Sequence, residues 1–309
     1  IILLLPFSNT SKTIINLYSY TEWLFIWYEL NLSSEEKKIH HELIGHLPEL
    51  YDPANANGYV NNYPNLYQSV DMISSIVSDP YLLGKIAANH AISDIIAVNS
   101  KLISALMILQ LPFSNSEINS RDLEQVTSGA SDVFKLAGCS ISGGHTMFGK
   151  DKDPVIGFSV VGEKKNVIND KIRSNLKIND VLILTEKIGS GIIFSGINND
   201  IIDSYYQIEV LNQMSRGNIK FSNMSDQLKT LSMTDITGFG LANHLLNLIK
   251  RDTGKTGLTI YPDKIPIFDG VIEALSKNVR SSLFDKNFNT AQKELIYKRE
   301  IKLIDEILY

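Results

Sequence analysis

The sequence predicts an α/β (α+β) chain in two domains, and three observations carry that expectation. Its 309 residues suffice for two units with substantial cores. Runs at helical spacing (Leu82 to Ile92, Leu123 to Leu136, Leu241 to Ile249) are interspersed with β-rich runs (Pro154 to Val161, Val181 to Leu184, Leu258 to Tyr261). Residues 164–177 are charged and linker-like. The reading is a leader over residues 1–47, an N-terminal domain over 48–163 and a C-terminal αβ domain over 178–309.

The leader starts Ile1-Ile-Leu-Leu-Leu-Pro, which is too short to span a bilayer and is closed by Pro6. No basic residues precede it, as a signal peptide would require. Residues 14–30 are apolar and aromatic, interrupted by Glu22 and Glu29, and read as core or as cover for a partner. A membrane-surface helix fits less well, because its polar positions are not basic. Ser33-Ser-Glu-Glu then gives a capping-box-like helix start.

In the N-terminal domain, Asp79 before Pro80 reads as a helix start, with proline near the first helical position. Leu82, Leu83, Ile86, Ala87, Ala91 and Ile92 then recur at helical spacing. His90 and Asp94 are four apart and share one face of that helix. An acidic side chain in so apolar a segment is costly if buried alone. A metal ion, or a partner such as Lys85, would remove that cost; a solvated stripe would avoid it. Further along, a helix-like run ends at Leu136 and leads into Ala137-Gly-Cys-Ser-Ile-Ser-Gly-Gly-His-Thr146. A Gly143-Gly144-His145-Thr146 turn between helix and strand offers backbone N–H groups and a hydroxyl to phosphate oxygens.

The C-terminal domain opens with strand-like Val181 to Leu184, and Gly189-Ser-Gly191 begins a helix. Residues 204–231 read as helical with polar insertions, and Leu258 to Tyr261 as a strand. Between these lies the most telling stretch, Thr234-Asp-Ile-Thr-Gly-Phe-Gly240, directly before an apolar helical pattern. Glycines admit close backbone approach, and a helix N-terminus favours phosphate. A carboxylate there can hold Mg²⁺, which usually takes one or two carboxylates plus substrate phosphates. An ordinary capped turn would account for Asp-Ile-Thr-Gly equally well if it stood alone.

Composition sets outer limits. The formal charge of −5 argues against a nucleic-acid-binding surface, and 44% hydrophobic content is ordinary for a globular protein. A single cysteine, Cys139, rules out an internal disulfide framework and fits a reducing, cytoplasmic compartment. Cys139 reads as a small buried residue rather than a nucleophile.

In this order the segments resemble selenide, water dikinase, also called selenophosphate synthetase. Four pieces carry the resemblance: Ser69-Val-Asp71 through Val98, Ser142 to Thr146, Asp180 to Thr185, and Thr234 to Gly240 continuing into His244-Leu-Leu. Ile265 to Leu275 adds to them, and the similarity runs from about Tyr51 onward. The Thr-Asp-Ile-Thr-Gly-Phe-Gly motif is fairly specific within the wider superfamily of aminoimidazole ribonucleotide synthetase-like ATP enzymes. The resemblance implies two α/β domains, the N-terminal sheet helping to build a homodimer barrel. It implies a kinase-type transferase that converts ATP, selenide and water to selenophosphate, AMP and phosphate. Mg²⁺ would bridge the ATP phosphates, held by Asp71, Asp94 and Asp235, with Asp52 a looser match. Gly143, Gly144, His145 and Thr146 would line the nucleotide. Neither nucleic acid nor a membrane is an expected partner.

Several positions depart from the family pattern. The family carries a glycine-rich N-terminal loop with a catalytic cysteine or selenocysteine and a nearby lysine, and nothing between Ile1 and Leu50 resembles it. The catalytic residues are therefore unassigned. His90 stands where asparagine is usual, Asn99-Ser100 replaces a Gly-Gly pair, and Glu186-Lys187 replaces Lys-Pro. The sequence stops at Glu306-Ile-Leu-Tyr309, where the family continues into a further αβ portion, so the C-terminal domain is read as truncated. Two alternatives stay open: a nucleotide-binding relative without turnover or a partner subunit, and another small-metabolite kinase such as one acting on thiamine monophosphate. Thr237-Gly-Phe-Gly240 disfavours that last kinase, whose pattern there is aspartate-serine-aspartate-glycine.

Overall fold

A computed structural model describes residues 2–5, 58–60, 63–165, 180–222, 232–250, 257–298 and 300–309. Asp52, most of the leader and most of the charged linker lie outside these. The chain divides into two compact units, Ile26–Val167 and Ile168–Tyr309 with Ile1–Phe25.

The first unit is a five-stranded sheet with two helices on one face. Its strands are β2 (Gly58–Val60), β3 (Tyr63–Ser74), β4 (Ser100–Pro112), β5 (Ile141–Gly149) and β6 (Val155–Lys164). They lie in the order β2-β3-β6-β4-β5, antiparallel throughout except for the parallel pair β4 and β5. The sheet is open. Helix α1 (Pro80–Ala97) begins as the sequence predicts: the Asp79 side chain accepts the Leu82 N–H at 2.9 Å, and Pro80 sits in the first turn. Leu83, Ile86, Ala87, Ala88, Ala91, Ile92, Ile95 and Ile96 are all buried, covering nearly the whole circumference of α1. The helix therefore needs cover on both sides. Helix α2 (Ser116–Leu136), capped by Asn115, supplies the second side.

The two helices meet at a pair of glycines. A Cβ on Gly84 would lie 2.1 Å from the Val126 carbonyl oxygen, and one on Gly129 would lie 2.0 Å from that of Tyr81. Only glycine permits so close a crossing. On β3 the helix-facing positions are Tyr67, Ser69 and Ile73, whereas Val70 and Met72 point the other way and are exposed. Across that outer face the register places Val70 opposite Ser159 and Ser159 opposite Leu106, and Leu106 is also exposed.

In the second unit, strands β1 (Ile2–Leu5), β7 (Val181–Leu184) and β8 (Ser232–Thr234) form an antiparallel sheet with β1 in the middle. Residues 2–5, which the sequence reading assigned to a leader, thus pair with strands of the second unit. Four consecutive apolar residues suit a central strand, but a run this short has no periodicity to reveal one. Helices α3 (Ser190–Asn198), α4 (Gln207–Arg216), α5 (Gly240–Lys250), α6 (Val271–Ser276) and α7 (Phe284–Ala291) belong to the same unit. Their core gathers Ile193, Val210, Leu245, Phe268 and Leu275.

Two local expectations change. Residues 258–261 join no described strand and lead into a 3₁₀ turn at Pro262–Lys264. Between residues 204 and 222, the helical reading resolves into a 3₁₀ turn (Ser204–Tyr206), α4, and a break at Gly217 with φ of 64°. Leu303–Leu308 forms a further 3₁₀ segment, and its Leu308, like Tyr309 after it, is buried.

Candidate functional site

The first cluster sits where β3 faces α1. Ser69 and Asp71 are two apart on the strand, so both side chains leave the same face. Asp94 and His90 are one turn apart on α1. The Ser69 hydroxyl donates to Asp94 Oδ2 at 2.6 Å, and Asp71 Oδ2 lies 3.4 Å from the Ser69 hydroxyl oxygen. His90 Nε2 lies 3.6 Å from Asp71 Oδ1, the His90 side chain being 3% exposed and that of Asp71 10%. Lys85, the cationic partner considered for Asp94, instead lies over the Tyr81 ring. The structure therefore brings Asp71 and Asp94 together through one hydroxyl.

Two carboxylates around one hydroxyl form a hard oxygen donor set. Such a pair repels unless a proton or cation lies between them. The set suits Mg²⁺, which takes one or two carboxylates and fills its shell with phosphate oxygens and water. Among the described residues, no three of His, Cys, Asp or Glu are grouped to hold a metal.

The Gly143-Gly144-His145-Thr146 segment is not the turn expected from the sequence. It lies within β5, paired residue by residue with Leu106 to Leu109 of β4. The chain reverses earlier, at Gly138 with φ of 75°, directly after α2. A Cβ on Gly144 would lie 2.2 Å from the Met107 carbonyl oxygen, so glycine is what lets β5 approach β4. As a strand, the segment presents alternate residues to opposite faces. Gly144 and Thr146 are in register with buried Met107 and Leu109, and Gly143 and His145 with Leu106 and Ile108. Asp71, Phe158, Met107 and Gly144 form one row across four strands. Asp71 and Gly144 are thus separated by three strand spacings, about 14 Å.

Asp235 belongs to the second unit, immediately after β8, and is 6% exposed. The loop around it is tied down by several groups. Thr237 N–H donates to His244 Nε2 at 3.0 Å, and the Thr237 hydroxyl lies 3.1 Å from the same nitrogen. The Thr234 hydroxyl donates to the Asp235 carbonyl at 3.1 Å. Asn287 Nδ2 donates to the carbonyls of Gly238 (2.8 Å) and Tyr309 (3.2 Å), and Asn243 Nδ2 donates to that of Phe239 (2.9 Å). Gly240 has φ of 73°, and a Cβ there would meet the Leu308 carbonyl oxygen at 3.0 Å. The turn that the motif predicts is present, with Gly240 N–H bonded to the Thr237 carbonyl.

A third group was not singled out as a site. Glu186 is 5% exposed and lies between Lys220 Nζ at 3.0 Å and Arg216 Nη2 at 3.8 Å. Burial pushes its carboxyl up to about 7, against the opposing pull of Lys220 and Arg216. At Lys187, burial opposes the charge, but Glu209 (2.9 Å) and Asp269 (3.7 Å) outweigh it and raise the ammonium pKa. The only sequence signal was the Glu-Lys pair itself. Ser69 was within reach of sequence reasoning, because Ser-x-Asp on a strand places both side chains on one face. Cys139 is buried, as predicted, and burial pushes its thiol up. Among the described residues, no helix is long and apolar enough to cross a membrane.

Residues 55–163 match the family described as AIR synthase related protein, N-terminal domain. The selenide, water dikinase of Clostridioides difficile is 31% identical over 254 residues, covering 81% of this chain and 70% of the relative. Selenide, water dikinase 2 of Peptoclostridium acidaminophilum is 32% identical over 246 residues, covering 79% and 68%. Among solved structures, a HypE–HypF complex aligns with a TM-score of 0.58 at 16% identity, covering 83% of this chain and 88% of that one. Thiamine monophosphate kinase from Aquifex aeolicus aligns with a TM-score of 0.55 at 15% identity, covering 90% and 84%. At these identities the structural likeness concerns the fold alone.

Proposed function

We propose a function from one premise: the chain belongs to the selenide, water dikinase family. The proposed reaction takes ATP, selenide and water to selenophosphate, AMP and phosphate. The observation that carries the reading is the Asp71 and Asp94 pair joined by Ser69, because it gives Mg²⁺ and phosphate a hard oxygen site on a rigid strand and helix. Asp94 and Asp71 would hold the ion in the first unit; Asp235, in the second, is proposed in its own right as a Mg²⁺ ligand, and Asp52 is a further candidate outside the described residues. When bound, Mg²⁺ supplies neutralisation of the charge that develops on the transferring phosphoryl group. Ser69 keeps Asp94 oriented by its hydrogen bond. Gly143, Gly144, His145 and Thr146 are proposed to line the nucleotide, β5 offering backbone groups along its outer edge. A homodimer is proposed through the outer face of the first sheet, where Val70, Met72, Leu106 and Met147 are exposed apolar side chains. The single cysteine supports a reducing, cytoplasmic setting.

A second reading, nucleotide binding without selenide turnover, is favoured by Cys139. It is the only cysteine of the sequence, and it is buried with a raised pKa, which leaves it poorly suited to handle selenide. Phosphorus NMR of the full chain with Mg²⁺ and ATP, with and without selenide under anaerobic reducing conditions, separates the two. Selenide-dependent selenophosphate, AMP and phosphate, lost in Asp94→Asn, is the outcome expected of the enzyme. Unchanged ATP in a folded sample that still binds nucleotide would leave the second reading.

A further inference from the structure

The Thr234–Thr237 loop is held from two sides by one imidazole. His244 lies on α5, ten residues after Thr234 and seven after Thr237. A backbone N–H can only donate, so Thr237 N–H at 3.0 Å requires Nε2 to be the accepting, unprotonated nitrogen. The neutral ring then carries its proton on Nδ1, which lies 3.5 Å from the Thr234 hydroxyl oxygen. That hydroxyl in turn donates to the Asp235 carbonyl. The Phe239 ring meets the imidazole at 61° with centroids 6.0 Å apart. One side chain therefore contacts the residue before Asp235 and the residue two after it.

We infer that His244 is a positioning residue for Asp235: as the Nδ1–H tautomer, it clamps Thr237 through Nε2 and braces Thr234 through Nδ1. The inference rests on the reading of Asp235 as a ligand of Mg²⁺ and ATP. It adds that the carboxylate is aimed by a histidine that does not itself touch the ligand. Groups that orient a metal-binding side chain commonly change metal affinity by about 10- to 100-fold when removed.

The test compares His244→Leu, which removes the acceptor, with His244→Gln, whose amide oxygen can accept the Thr237 N–H. Two readouts are followed on the full chain: hydrogen exchange at the Thr237 amide, and the Mg²⁺-ATP dissociation constant with KM and kcat. The leucine variant is expected to speed Thr237 exchange and to weaken Mg²⁺-ATP binding by about tenfold or more. The glutamine variant is expected to recover most of both. Unchanged Thr237 exchange in the leucine variant would overturn the clamp. Faster exchange with unaltered Mg²⁺-ATP affinity would overturn the positioning role. If the wild-type chain binds no Mg²⁺-ATP, the functional reading fails and takes the positioning role with it, while Thr237 exchange still decides whether the clamp exists.

Discussion

The Ser69 hydroxyl donates to the Asp94 carboxylate across 2.6 Å and so joins the middle of β3 to the C-terminal end of α1. A hydrogen bond to a charged group is worth about 1.5–3 kcal/mol. Ser69→Ala should therefore lower stability by about 2 kcal/mol in urea unfolding, with little change in m. It should also raise the Mg²⁺ concentration needed for half-maximal ATP binding, since Asp94 loses the group that orients it. Normal Mg²⁺ dependence in a destabilised variant would confine Ser69 to a structural role.

Asp71 and Asp94 share that hydroxyl, and His90 Nε2 lies 3.6 Å from Asp71 Oδ1. Asp94→Asn is expected to abolish Mg²⁺-dependent ATP consumption. His90→Asn, which restores the residue usual in the family, is expected to keep activity and alter only the metal dependence. Comparing initial rates across a Mg²⁺ titration checks both. Loss of activity in His90→Asn equal to that in Asp94→Asn would place the histidine in the reaction itself.

How much of this was legible in the sequence depends on the residue. The Asp79-Pro80 start of α1 was readable, because a cap and a proline act locally. The Asp235 turn was readable for the same reason, its glycine at 240 occupying a left-handed conformation. The segment Gly143 to Thr146 was misplaced as a turn. Glycine pairs usually mark turns, and here the requirement is the approach of β5 to β4, a contact between strands distant in sequence. Strand β1 was illegible for a similar reason: its partners Leu184 and Thr234 lie far along the chain. Ser69 meets Asp94 only once β3 and α1 pack, so spacing could place each on its own element and no further.

Glu186 makes the second unit sensitive to pH. Its folded pKa is raised, to about 7 against an ordinary 4.5, so the folded state holds the proton more tightly than the unfolded chain. The stability this contributes is fully present below about pH 4.5 and is lost as pH rises through about 7. Because Lys220 and Arg216 keep contact with solvent, the effect should be about 2 kcal/mol, less than full linkage would give. Glu186→Gln should flatten the stability profile between about pH 4.5 and 7, the window set by the unfolded and folded values. Urea midpoints at several pH values decide it; an unchanged slope in the variant would assign the dependence to another group.

The glycine crossing of α1 and α2 predicts a penalty against local propensity. Alanine is the better helix former by about 1 kcal/mol, so Gly84→Ala would stabilise an isolated helix. In the folded unit its Cβ would press on the Val126 carbonyl oxygen at 2.1 Å, and backbone cannot yield as a side chain can. A net loss of about 3 kcal/mol is expected, and Gly129→Ala should behave alike. A neutral result for both would mean that the helices separate at little cost.

Asn287 offers the sharpest distinction between a filled space and a hydrogen-bond donor. Its amide is buried and gives protons to the carbonyls of Gly238 and Tyr309, binding the Asp235 loop to the segment at residues 303–309. Asn287→Ala removes both donors and leaves two carbonyls short, at a cost of about 3 kcal/mol. Asn287→Asp preserves shape, but an ionised carboxylate has no proton to give. It would set a negative charge against two carbonyl oxygens, so at pH 7 it should be less stable than alanine. The burden falls as the acid takes up a proton and becomes a donor, and its folded pKa must lie above the unfolded one. The stability of Asn287→Asp should therefore recover relative to alanine as pH falls toward about 4, the ordinary aspartate range. Thermal unfolding of both variants at pH 7 and pH 4.5 reads this directly. Parallel pH profiles would mean that the amide fills space and that its two hydrogen bonds hold nothing in place.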